Sequence, residues 1–139
     1  MNTKIYKKVL SLTNSLMAAA EVNDQSKFDE HYAELKQLCT ENENTDKDHP
    51  VQWETLADFT EDLVTAVSIY EQALVKADAI DSADFRSSIG LSAATLNIEL
   101  GNKAAAVEHL EKAKASCVDI VDVQLKTEIH GLLKSLKSK

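Results

Sequence analysis

Apolar side chains recur at intervals of three and four residues along nearly the whole chain, and no alternating period of two persists anywhere. That spacing lines up an apolar stripe on an α-helix, so the chain is restricted to helix packed on helix. Ile5, Val9, Leu12, Leu16 and Ala19 make the first stripe; Phe28, Tyr32, Leu35 and Cys39 the second; Trp53, Leu56, Ala57 and Phe59 a short third. Leu63, Ala66, Val67, Tyr70, Ala73, Leu74 and Ala77 form a fourth, and Phe85, Ile89, Ser92, Ala93, Leu96 and Leu100 a fifth. Ala104, Val107, Leu110 and Ala113 form a sixth, and Val123, Ile129, Leu132, Leu133 and Leu136 a seventh. Thr3, Asp24 or Ser26, Asp81-Ser82, and Asp119 or Asp122 are placed to cap helices, Pro50 to begin one and Gly101 to end one. With three Gly and one Pro in 139 residues, turns fall to Asn and Asp. This composition excludes β-sandwiches, barrels and Gly-rich phosphate loops. The sequence predicts a single all-α domain over residues 1–139, with about seven helices in antiparallel pairs.

Charge is uneven along this frame. The formal net charge is −8, yet residues 21–62 alone hold 13 acids against three Lys, while both ends are slightly basic. Such a chain is poorly suited to nucleic acid, whose affinity comes mainly from cationic contacts to phosphate. No apolar run approaches the roughly 20 residues of a membrane span. The acidic middle suits a basic or amphipathic partner, or is simply a solvated face. Lys4, Lys7 and Lys8 followed by Val9–Met17 and three Ala resemble a secretory leader, but Ser11, Thr13, Asn14 and Ser15 interrupt it and the helical stripe runs through it. Cys39 and Cys117 lie within helical patterns without disulfide-framework spacing, so a cytoplasmic protein with reduced, buried thiols is the simplest account.

The helix pairs repeat. Ala66-x3-Tyr70-x2-Ala73-Leu74 matches Ala106-x3-Leu110-x2-Ala113, and Phe28-x3-Tyr32-x2-Leu35 is a weaker copy. The anchors Phe28, Ala66 and Ala106 stand 38 and 40 residues apart. Small residues let two helices approach at their crossing, and a larger one a turn later fills the space between neighbouring pairs. Ala94, Gly101, Ala106, Leu110 and Ala113 in particular resemble the tetratricopeptide repeat family. The resemblance covers residues 9–118 as three degenerate repeats, about 9–42, 47–80 and 87–118, with about 119–137 as the terminal capping helix. The same small-residue pattern also occurs in closed helical bundles, the alternative architecture.

The resemblance implies a superhelical array whose first helices line a concave, partner-binding surface. By corresponding slots, that surface holds Thr55, Asp58 and Phe59 in the second repeat and Ser88, Leu91, Thr95, Ile98 and Glu99 in the third. Family members that clamp a C-terminal carboxylate use Lys and Asn there; Ser, Leu, Thr and acids at these slots point instead to a basic or amphipathic segment.

Chemistry-bearing motifs are sparse. His31, His49, His109 and His130 show no metal-ligand spacing. Asn44-x-Asp46-x-Asp48 begins like a calcium loop, but His49 and Thr55 stand where Gly and a bidentate acid are required. Asp29, Glu30, His31 and Glu34 crowd one stretch of helix and read as a solvated face rather than a weak divalent site. An acidic chain is a poor setting for a nucleophilic thiolate. The expectation is a non-enzymatic interaction module with no catalytic residues, metal or cofactor, binding a protein or peptide partner. Alternatives are a small acidic chaperone for a secretion or assembly subunit, a module that dimerises through its seventh helix, and an enzyme whose site is assembled from tertiary neighbours.

Overall fold

The computed structural model describes residues 2–138 and is all-helical there. Seven α-helices follow in order: α1 Thr3–Glu21, α2 Gln25–Asn42, α3 Pro50–Asp58, α4 Leu63–Ala79, α5 Ala83–Glu99, α6 Lys103–Ser116 and α7 Val123–Lys137. A single 3₁₀ turn, Cys117–Asp119, joins the last two. Local chemistry sets most boundaries. Asp24, Asp62, Ser82 and Asp122 each accept a hydrogen bond from the backbone N–H three residues on, satisfying a donor that the helix start leaves orphaned. Asn2 caps α1, so Thr3 is the first helical residue rather than the cap. Asn23, Asn44, Asp81 and Gly101 take positive φ at the turns. At Gly101, φ is +80°, the left-handed conformation that ends a helix at least cost when no Cβ is present.

Each helix packs on the one after it, and α1, α3, α5 and α7 additionally touch in series. Among the described residues α1 makes no sustained contact with any helix beyond α3. The pairs therefore form an open array, with odd-numbered helices along one side. Two apolar cores meet in α5. Ile89 and Ala93 belong to the first, with residues of α1–α4, whereas Ala94 belongs to the second, with residues of α6 and α7. Burial on two sides explains why α5 is rich in Ala and Ser rather than sharply amphipathic.

Gly90 marks the closest approach of α5 to α6. A Cβ placed there would lie 3.2 Å from the Cβ of Ala113 and 3.5 Å from the His109 carbonyl oxygen. Gly90→Val is expected to destabilise by about 1–2 kcal/mol through overpacking, whereas Gly90→Ala stays within about 1 kcal/mol because gained helix propensity offsets the tighter contact. Urea unfolding of the two variants checks this.

The acidic segment after α2 is ordered by a distant cation. Lys76 of α4 pairs with Asp48 at 2.9 Å and Glu43 at 3.4 Å, and its ammonium lies 5.5 Å from the centre of the Trp53 ring. Asp48 also accepts from the Trp53 indole N–H at 2.8 Å and the Asn44 backbone N–H at 2.9 Å. His49 then caps α3, with Gln52 completing a reciprocal capping box. Trp53, read from the sequence as part of an apolar stripe, is only 4% exposed because this segment folds over it. Cys39 and Cys117 are buried and unbridged. Burial, reinforced by the nearby charges of Asp48 and Glu43, pushes the Cys39 thiol up to about 12. Such a thiol stays protonated and unreactive at neutral pH.

Candidate functional site

The odd-numbered helices place their unburied faces side by side. On α3, Trp53, Leu56 and Ala57 go to the core, which leaves Glu54 and Asp58 one turn apart on the opposite stripe. On α5, Ser88, Leu91, Ser92, Thr95 and Glu99 share one stripe by the same periodicity, opposite buried Gly90, Ala94 and Asn97. The two stripes are joined directly, because the Ser88 hydroxyl donates to Glu54 Oε2 at 2.8 Å. Tyr70 of α4 adds its hydroxyl, which donates to Asp58 Oδ1 at 2.5 Å, with Ser92 beside the phenolic oxygen. Five polar side chains from three helices thus form one cluster.

Its electrostatics are unusual for an acidic protein. Burial pushes the Glu54 carboxyl up to about 7; the Ser88 hydrogen bond opposes that shift and the Asp58 charge adds to it. Asp58 is exposed as a residue, but its carboxyl turns toward the nearly buried Tyr70, and burial there raises its pKa despite the hydrogen bond. Burial first, then the Asp58 hydrogen bond and charge, raise the Tyr70 phenol well above its ordinary value, so it remains a donor. Among the described residues neither carboxylate has a cation within ion-pair distance. Two desolvated acids without a counter-charge are costly to the free protein, and an external cation would relieve both.

The face continues on both sides. Counted back from the helix ends Glu21, Asp58 and Glu99, the matching positions are Met17, Glu54 and Thr95. Met17 lies on an exposed row of α1 with Tyr6 and Leu10 and is itself 58% exposed. On the other side, Leu91 and Thr95 join Glu128, Gly131, Leu132 and Ser135 of α7 around an open groove of about 430 Å³.

The residues expected from the sequence divide between this face and the cores. Asp58, Ser88, Leu91, Thr95 and Glu99 fall on the inner stripes. Phe59 ends α3 and packs edge-on against Phe28, ring centres 6.3 Å apart, so its ring serves the first core. Ile98 packs against the second core. Thr55 spends its hydroxyl on the Val51 carbonyl at 2.7 Å, and Thr95 does the same with Leu91 at 2.9 Å. Of the cluster's other members, Tyr70 and Ser92 read from the sequence only as positions on helical packing stripes, and sequence spacing does not single out Glu54. Among the described residues no helix is long and apolar enough to cross a membrane. No family model, curated protein or solved structure matches the chain.

Proposed function

We propose that this chain is a tetratricopeptide-like, non-enzymatic interaction module whose inner face, along α1, α3, α5 and α7, holds a basic amphipathic segment of a partner protein. The observation that carries this reading is the pair Glu54 and Asp58, desolvated, one turn apart and lacking a cation of their own. A partner Lys or Arg placed between them gains two charge-assisted hydrogen bonds in a site with limited solvent screening. Tyr70, Ser88 and Ser92 hold the carboxylates in place, so little side-chain entropy is lost on binding. The apolar side of the segment would lie on the Leu10–Met17 row or on Leu91 and Leu132. Two buried, unbridged thiols support a cytoplasmic setting for this role.

The exposed α1 row also supports a second reading, a small acidic chaperone that covers an apolar segment of an otherwise unstable subunit. Both readings are tested by co-purification from native lysate with tagged wild type and Glu54→Lys/Asp58→Lys. The wild type is expected to bring down a stoichiometric partner, and the double reversal at least tenfold less. Equal recovery with both proteins would overturn the assigned site. A partner that is insoluble when expressed alone would decide for the chaperone.

A further inference from the structure

The outer end of the array carries a second, oppositely charged surface. Adding 40 to residue numbers in α5 carries Ile89 and Ala93, buried in the first core, onto Ile129 and Leu133 of α7, buried in the second. The same step carries Gly90, Ala94 and Asn97, the α5 face packed toward α6, onto His130, Lys134 and Lys137. On α7 this helix-receiving face is therefore basic, and no element of the described chain covers it. Lys126 extends the stripe by a further turn, and Lys114 of α6 closes it into a cleft of about 500 Å³ with Leu133 in its wall. Among the described residues only Lys137 of these lysines makes an ion pair, to Glu111.

At the other end of the array, α2 presents Glu30, Glu34 and Glu41 on one solvent-facing stripe. Their spacing of four and then seven residues is that of Lys126, His130 and Lys137. Glu34 is paired only with exposed Lys8, at 3.7 Å, and neither Glu30 nor Glu41 makes an ion pair among the described residues. We infer that the basic face of α7 receives the acidic face of α2 from a second copy of this chain, producing head-to-tail association. The contact is heterologous, so each copy keeps one free end and growth does not close at a dimer. The surfaces are exposed, which makes the contact weak, fast and salt-sensitive.

Sedimentation velocity on the full chain tests this with two charge-neutralising variants, Lys126→Gln/Lys134→Gln and Glu30→Gln/Glu34→Gln. At about 10 mM salt, where the Debye length is near 30 Å, the mean mass of the wild type is expected to rise with concentration beyond that of two chains. It should return to a single chain at about 0.5 M salt. Each variant alone should be monomeric under both conditions. An equimolar mixture should yield dimers and nothing larger, because each variant retains the face that the other has lost. Wild type that stays monomeric at low salt, either variant associating as the wild type does, or a mixture that stays monomeric would overturn the proposal. Circular dichroism confirms that both variants fold.

Discussion

Truncating Lys76 to alanine is expected to lower stability by about 2–3 kcal/mol at pH 7, near the low end of the cost of breaking a buried ion pair. The Lys76 and Asp48 side chains are only 12% and 9% exposed, so the remaining carboxylate would be stranded with little solvent. Loss of the ammonium also removes the cation above Trp53 and releases Glu43. The sign of the pH dependence follows from Asp48. Burial pushes its pKa upward, but hydrogen bonds from Asn44, Lys76 and Trp53 outweigh burial and hold it below the ordinary value. A depressed carboxylate contributes stability above its unfolded pKa and loses it as pH falls through the folded one. The gap between wild type and Lys76→Ala should therefore be full at pH 7 and close below about pH 4. Thermal unfolding across that range provides the check, and Trp53 fluorescence should move to longer wavelength in the variant as the segment opens.

Glu54→Gln should act in the opposite direction on stability. Burial lets folded Glu54 keep its proton up to about pH 7, whereas the unfolded chain loses it near the ordinary carboxyl value of 4.5. Between those values the folded state binds more protons, so stability is lost as pH rises. An amide of the same shape avoids the penalty and retains the hydrogen bond with Ser88. The variant should match wild type at pH 4 and exceed it at pH 8 by on the order of 2 kcal/mol. Partner binding should show the reverse preference, because the cation needs ionised Glu54. Wild-type affinity should rise between pH 6 and 8, while that of the variant should be lower and nearly flat. A gain in stability paired with a loss of binding distinguishes a recognition carboxylate from a structural one.

The helices were legible because their determinants are local: apolar spacing, Asp or Ser caps ahead of α2, α4, α5 and α7, Pro50 at a start and Gly101 at an end. Other features depended on partners distant in sequence. The run 41–48 contains no apolar residue and reads as a loop; α2 extends through Asn42, and Lys76, on another helix, orders the remainder and helps bury Trp53. Asp58 was found through repeat register, but Glu54 was missed for an identifiable reason. Three residues separate the end of α3 from its following cap, Asp62, against two between α5 and Asn102. That extra residue shifts α3 by one place, so the register drawn from the Ala66 and Ala106 anchors assigned Thr55 to the slot that Glu54 occupies. Tyr70 was legible as a packing residue, but its hydroxyl reaches Asp58 only because α4 folds back on α3.

Photo-crosslinking tests the central claim most directly. A benzophenone amino acid is placed at Thr95 on the inner face and, in a separate protein, at Lys36 on the outer face of α2, and each is irradiated in native lysate. The predicted result is one discrete adduct from position 95, lost on adding Glu54→Lys/Asp58→Lys, with no matching adduct from position 36. An adduct from position 36 alone, or one from position 95 that survives the double reversal, would contradict an inner face that reads a cationic partner.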